Sequence, residues 1–289
     1  LDLERESAFD PMLDFLPVTE EQIAASPIAN QCALFNETIK KCNYRELLRI
    51  GREIMSFDPA GHTFGVRHIA LHTARQAARA GLPVDVALVG AASLAHDIGK
   101  FGCRGEDTQR IPYLHYYYTW KWLEDAGMPE IAHIAANHST WDLEFENLPI
   151  ESLILIYADF RVRADRLEDG KEQTCVCTLL ESRDRIFNKL ADMTPEKRRK
   201  YETVYKKLDD FERFLESNGV NPDPYGTTQP AKETRDAALL SQGEVIRALC
   251  NHAFDNNIHL MRTITVSDSF EALLELARDE KNLSRIRTY

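Results

Sequence analysis

The stretch SLAHDIGKFG, residues 93–102, ends a run of apolar and small residues that begins at Val84. A run that is apolar on every side predicts a buried helix. His96 and Asp97 stand side by side at its end, and Gly99 and Gly102 predict that the helix stops there. A carboxylate in such a position is costly unless a partner compensates its charge. The stretch therefore predicts a buried helix that delivers an imidazole and a carboxylate to an interior site.

Along the rest of the chain, helical periodicity is nearly continuous and strand signals are almost absent, which predicts an all-α protein. Two long, charged amphipathic segments follow the central part of the chain, and Thr194-Pro195-Glu196 is a good N-terminal cap for the second. The predicted helices cover residues 44–56, 66–80, 84–98, 113–126, 129–138, 149–166, 171–192 and 194–218.

Changes in composition divide the chain into four parts. Residues 1–43 form an N-terminal helical extension, 44–169 a central helical bundle, 170–219 a long charged helical hairpin, and 220–289 a linker with a C-terminal helical segment. The linker begins with VNPDPYGTTQPAKE, which holds three prolines and a glycine. The hairpin is interpreted as solvated faces or as a dimer or interdomain contact. The start at Leu1 and the end inside a predicted helix are consistent with a piece of a longer protein.

The bulk composition is that of a soluble globular protein, with 289 residues, 44% hydrophobic and 28% charged. The net charge of −11 argues against general binding of nucleic acid or anionic membranes. No apolar run is long enough for a membrane span, and nothing at the N-terminus resembles a signal peptide. The six cysteines are scattered, apart from Cys175 and Cys177, and they are interpreted as free thiols in a reducing cytosol. A cytoplasmic location is therefore expected.

Histidines are concentrated in the central bundle, which indicates a transition-metal site assembled from several helices. Asp97 and Asp159 are the best candidates to neutralise the metal charge, because each follows an apolar run. The residues alone leave the choice between neighbouring histidines open. Seven of the nine histidines lie in this region: His62, His68, His72, His96, His115, His133 and His138.

The order of these residues resembles the HD-domain superfamily of metal-dependent phosphohydrolases over roughly residues 60–166. GAASLAHDIGK, residues 90–100, is similar to that family's central motif, and LIYADFRVRADR, residues 155–166, is similar to its final helix. The resemblance implies an HD-domain helical bundle. It implies six metal ligands, of the type found in binuclear members such as the HD-domain diadenosine tetraphosphate hydrolases: His68, His96, Asp97, His115, His138 and Asp159.

By this resemblance, two divalent ions of iron, manganese, zinc or cobalt share Asp97. A hydroxide between them is the nucleophile, since metal binding lowers the pKa of water from about 16 to about 7. His68 and Asp159 belong with His96 to the first ion, and His115 and His138 to the second. His72, one helical turn after His68, and His133, close to His138, are the competing candidates. His62 is expected to lie in a loop.

Asp97 and Lys100 are the expected catalytic residues. Lys100 lies one turn after His96, so the two side chains face the same side of the helix. Lys100 either holds a phosphoryl oxygen or only ends the helix. Three arginines, Arg161, Arg163 and Arg104, are candidates for substrate binding, with solvent-facing positions as the alternative. The aromatic run Tyr116, Tyr117, Tyr118 and Trp120 is interpreted as core packing rather than as a surface for stacking a nucleobase.

The expected function is hydrolysis of a nucleotide or dinucleotide phosphoester or phosphoanhydride. After His138 the sequence STWDLE lacks the signature of the cyclic-di-GMP-degrading branch, and Ile98–Phe101 lacks the acidic pair of the (p)ppGpp-hydrolysing branch. A mixed-valent di-iron oxygenase is the alternative on the same scaffold. A regulatory or sensor module of a larger protein is a third reading. The expected partner is a small phosphorylated molecule, with a homodimer or further domains left open.

Overall fold

The computed structural model describes residues 18–44, 47–48, 50–51, 58–103, 105–138, 148–166, 172–189 and 194–223. Arg104, residues 1–17 of the N-terminal extension and the predicted C-terminal segment beyond residue 223 lie outside these residues. None of the helices in the described ranges is both long and apolar enough to cross a membrane.

The described part of the chain is mainly helical, which confirms the all-α prediction. Two 3₁₀ helices, Ile98–Gly102 and Gly105–Arg110, connect the central helices. The α-helices are α1 (Glu20–Ala24), α2 (Ala29–Lys41), α3 (Pro59–Arg79), α4 (Val86–Ala95), α5 (Ile111–Asp125), α6 (Pro129–Ala136), α7 (Ile150–Arg161), α8 (Leu179–Lys189) and α9 (Pro195–Ser217).

The end of the predicted helix 149–166 and the start of the predicted helix 171–192 form a small β-hairpin instead. Strands β1 (Val162–Arg166) and β2 (Glu172–Val176) pair antiparallel, with Val162 opposite Val176. The backbone N–H of Cys177 also donates to the carbonyl of Arg161 over 2.7 Å. The two strands are only five residues long, and their charged residues would also suit an exposed helix. The sequence pattern therefore could not predict that they pair.

Helix α4 is the centre of the core and packs against α3, α6 and α7. Asp85 starts it, since its carboxylate accepts from the N–H groups of Ala87 and Leu88 at 3.0 Å each. Ala92 and Ala95 are completely buried, and such small side chains let neighbouring helices approach closely. The helix ends at Ala95, so His96 and Asp97 occupy the turn that leads into the first 3₁₀ helix.

Thr119 of α5 fixes this turn from the other side. Its hydroxyl donates to the carbonyl of His96 over 2.9 Å and accepts from the N–H of Gly99 over 3.0 Å. A Cβ at Gly99 would lie 2.0 Å from the carbonyl oxygen of His115. Only glycine permits this approach, which places the end of α4 directly against α5.

The charged helix α9 has a buried face that docks on the central bundle. Leu208, Phe211 and Leu215 are completely buried, and the Phe211 ring packs against Tyr157 of α7 with centroids 5.9 Å apart. The hydroxyl of Tyr157 donates to Glu212 of α9. Helix α9, which was predicted to be solvated, therefore packs on the core through its apolar face.

Candidate metal centre

His96 and Asp97 are buried at the end of α4, with exposed fractions of 0% and 6%. The Nδ1 atom of His96 lies 2.8 Å from the carbonyl oxygen of Ser93. A carbonyl oxygen only accepts, so Nδ1 carries the proton and the lone pair of the neutral ring lies on Nε2. This tautomer is the one in which Nε2 can bind a metal ion.

His115 and His138 are held in the same way. Their Nδ1 atoms lie 2.5 Å and 2.7 Å from the carbonyl oxygens of Ile111 and Ala135, which are four and three residues earlier in the chain. Their Nε2 atoms lie 3.1 Å apart. Two helices, α5 and the end of α6, thus direct two imidazole lone pairs at one place.

Asp97 lies between two groups of imidazoles, one on each oxygen. Its Oδ1 is 3.6 Å from Nε2 of His115 and 3.8 Å from Nε2 of His138. Its Oδ2 is 3.3 Å from Nε2 of His62 and 3.5 Å from Nε2 of His96. Asp159 of α7 completes the second side, with Oδ1 3.2 Å from Nε2 of His62. The carboxylate of Asp97 is therefore placed to bridge two neighbouring positions.

Two sets of donor atoms are each compact enough to hold a metal ion. One set is His62, His96 and Asp159, and the other is Asp97, His115 and His138. Within each set the donor atoms lie within 4.8 Å of one another. Neutral imidazoles together with carboxylates are a donor set that suits divalent transition metals, so the residues fit the metal ions that the sequence analysis expected.

The structure places a different histidine of α3 at the donor sets from the one expected. His62, interpreted as a loop residue from the sequence, lies in the second turn of α3 and faces Asp97, whereas His68 is in neither donor set. Six residues at about 100° each separate the two side chains by roughly 240° around the helix axis. His72 shares the face of His68, and its Nε2 lies 2.8 Å from the carbonyl of Asn221. Likewise His138, and not His133, belongs to the donor sets.

Burial and charge set the protonation states of the cluster. Burial lowers the pKa of His115 to about 3 and that of His138 to about 4. Burial alone would raise the pKa of Asp97, but the charge of Lys100 outweighs burial and helps to hold this pKa well below its usual range. At neutral pH the cluster consequently combines neutral imidazoles at His115 and His138 with an ionised carboxylate at Asp97.

The lysine and the two arginines that were expected at the site lie in different surroundings. Lys100 faces the cluster, with Nζ 2.5 Å from Oδ2 of Asp97. Arg163 lies beside the cluster and donates to Ser182 and to the carbonyl of Val162 at 2.9 Å each. Arg161 does not line the cavity beside the cluster: it is 3% exposed and donates to Tyr157 and to the carbonyls of Cys177 and Pro222 at 2.6–2.8 Å. Its predicted role in substrate binding is replaced by a structural one, because all of these acceptors are buried around it.

A cavity of about 410 Å³ opens in front of the two donor sets. One wall of the cavity comes from α8 and α9, which were interpreted from the sequence as solvated faces or as a dimer or interdomain contact. Tyr116 also lines this cavity, with its ring centroid 3.8 Å from that of His115, while Tyr117 is a core residue with 5% exposure. The residues contributed by α8 and α9 are Ile186, Lys197, Lys200, Tyr201 and Val204. Only the repeated spacing of three and four residues along α9 could have indicated this shared face.

Comparison with known proteins agrees with this geometry for the central part of the chain. Residues 60–170 match the family model of the HD domain. No curated protein and no solved structure matches the chain. The match shows a likeness to the HD domain over this central part of the chain.

Proposed function

We propose that the protein is a binuclear metal-dependent phosphohydrolase that cleaves a phosphoester or phosphoanhydride of a nucleotide or dinucleotide. The observation that carries this proposal is the position of Asp97, with one carboxylate oxygen toward His115 and His138 and the other toward His62 and His96. A bridging carboxylate between two nitrogen-rich sets is the arrangement that two closely spaced divalent ions require.

The protein residues supply the ligands and the surrounding charge. His62, His96 and Asp159 would hold one ion, His115 and His138 would hold the other, and Asp97 would serve both. When bound, two such ions activate water and neutralise the charge on the phosphoryl oxygens. The Nδ1–H groups that donate to backbone carbonyls keep the imidazoles oriented, so the lone pairs need not reorganise during the reaction.

Lys100 is proposed to hold a phosphoryl oxygen. Its ammonium lies in the cavity wall and contacts Asp97, so an anion in front of the donor sets comes within its reach. A lysine acts on phosphate as a point charge with three donors, which suits an oxygen that moves during cleavage.

A nucleotide substrate is favoured by the size and lining of the cavity. Its volume of about 410 Å³ lies in the range of ordinary small-molecule sites, which is about 300–1,000 Å³. The Tyr116 ring in its wall offers an aromatic face to a nucleobase.

The test is metal analysis of the purified protein followed by a screen for phosphate release. Nucleotides, dinucleotides and phosphomonoesters are supplied with iron, manganese, zinc or cobalt, with and without oxygen. We expect metal-dependent phosphate release that does not need oxygen, and its loss in Asp97→Asn. Conversion only in the presence of oxygen would favour the di-iron oxygenase. A folded, metal-loaded protein that hydrolyses nothing in the screen would overturn the hydrolase proposal.

A further inference from the structure

We propose that Lys197 and Lys200 of α9 form a second anion subsite facing the metal centre, so that the substrate carries at least two phosphoryl groups. This inference rests on the proposed function and narrows its substrate class. It predicts nucleoside diphosphates, nucleoside triphosphates or dinucleoside polyphosphates as substrates, in preference to monoesters whose leaving group carries no phosphate.

Docking of α9 on the central bundle fixes the position of the two lysines. The buried contacts of Leu208, Phe211 and Leu215 anchor the C-terminal half of the helix, and Tyr157 bonds Glu212. The N-terminal half then extends along the cavity. The side chains that line it follow helical spacing and form one stripe: Lys197, Lys200, Tyr201 and Val204.

The charge balance of the cavity differs from that of the protein as a whole. The chain has a net charge of −11, yet Lys100, Arg163, Lys197 and Lys200 all line this cavity. Among the described residues that line it, the carboxylates are Asp97 and Asp159, which both belong to the donor sets. The cations of α9 therefore face a region whose carboxylates are assigned to metal ions.

The sequence of α9 also places cations where the helix itself disfavours them. Residues 197–200 are Lys-Arg-Arg-Lys, in the first turns of the helix, and the positive end of the helix dipole opposes such charges. Arg198 pairs with Glu202 over 3.1 Å. An anion between Lys197, Lys200 and the metal centre would be attracted by these charges and by the positive end of the helix dipole.

The lysines act on the part of the substrate that leaves. In hydrolysis the oxygen of water bonds to the phosphorus held at the metal centre, and the bond from that phosphorus to the bridging oxygen breaks. The bridging oxygen departs with its electron pair on the second phosphoryl group, and the proton lost by water passes to it or to solvent. Lys197 and Lys200 neutralise the charge that develops on this leaving phosphate.

The test compares two double variants of equal charge change. Lys197→Ala/Lys200→Ala removes the subsite, and Lys206→Ala/Arg213→Ala removes two exposed cations of the same helix that do not line the cavity. Each is assayed with a nucleoside diphosphate and with a nitrophenyl phosphate, whose leaving group carries no phosphate. We expect kcat/KM for the diphosphate to fall at least about 10-fold in the first variant only, as for loss of charge-assisted hydrogen bonds. The nitrophenyl phosphate rate should change less than about 2-fold in both variants, within the ordinary effect of exposed charges.

Binding of inorganic tripolyphosphate to the chelator-treated protein gives a second readout that does not need activity. Calorimetry should show weaker binding in Lys197→Ala/Lys200→Ala, unchanged binding in the control, and restored binding in Lys197→Arg/Lys200→Arg. Equal effects of both double variants, or equal losses with both substrates, would overturn the subsite. If the wild-type protein hydrolyses no phosphate compound, the proposed function fails, and the tripolyphosphate binding still decides whether the subsite exists.

Discussion

The Nε2 atoms of His115 and His138 lie 3.1 Å apart, although both rings donate their Nδ1 protons to backbone carbonyls. Two lone pairs that face each other at this distance repel unless a proton or a metal ion lies with them. Burial disfavours the proton, since it lowers the pKa of both rings. The two helices thus hold a geometry that a metal ion stabilises.

Acid should destabilise the metal-stripped protein in a defined pH range. Unfolded imidazoles take up protons below pH 6.5, whereas His115 and His138 stay neutral in the folded protein down to about pH 3 and pH 4. Stability is therefore complete above pH 6.5 and falls below it, by up to about 1.4 kcal/mol per pH unit for each group. His62 opposes the trend, because Asp159 and Asp97 raise its pKa in spite of burial.

The measurement is calorimetric melting in chelator at pH 7, 6 and 5. His115→Asn/His138→Asn should show a shallower loss of melting temperature than the wild type. A wild-type melting temperature that is constant or rises over this range would contradict the assignment of buried neutral imidazoles.

Substitution of His62 should remove metal, and substitution of His68 should not. The Nε2 of His62 lies 3.3 Å from Asp97 and 3.2 Å from Asp159, whereas His68 is outside both donor sets. We expect His62→Asn to lose one metal equivalent and His68→Asn to keep the wild-type content, measured by elemental analysis after desalting. The reverse pattern would restore the assignment made from sequence.

Loss of the Lys100 ammonium should lower turnover without emptying the metal site. Lys100→Met keeps the aliphatic length but removes the charge beside Asp97. We expect kcat to fall about 10-fold or more, as for a residue that contacts the reacting phosphoryl group, with metal content unchanged. Lys121→Met, which breaks an exposed pair with Asp125, is the matched control and should leave the rate unchanged. A full rate in Lys100→Met would mean that Lys100 only ends its helix.

Replacement of Arg161 should affect stability and not the affinity for metal. Arg161→Met leaves the carbonyls of Cys177 and Pro222 and the hydroxyl of Tyr157 without a buried donor. We expect a loss of about 2–4 kcal/mol in the free energy of unfolding, measured by urea denaturation. Arg183→Met, at a side chain that is 41% exposed, should cost less than about 0.5 kcal/mol. A stable Arg161→Met protein with impaired substrate binding would return Arg161 to the active site.

A methyl group at Gly99 should disturb both the fold and the site. The Cβ of Gly99→Ala would lie 2.0 Å from the carbonyl of His115 and 2.4 Å from the backbone nitrogen of Thr119, and neither backbone group can rotate away. We expect a loss of at least about 1–3 kcal/mol in unfolding free energy, together with weaker metal binding because α5 carries His115. Wild-type stability and metal content in Gly99→Ala would show that the two segments separate more easily than the packing indicates.

The helical class of the protein and the buried helix α4, which leads to His96 and Asp97, could be predicted from the sequence alone. These are local properties: small apolar residues predict a helix buried on all sides, and Gly99 and Gly102 predict where it stops. Tertiary structure decided which imidazole of α3 faces Asp97, because His62, His68 and His72 differ only in their rotation about one helix axis. It also decided where the lysines of α9 lie. A charged amphipathic helix has the same pattern in solvent and over a cavity, and only the docking of the helix, with Phe211 against Tyr157 of α7, distinguishes the two cases.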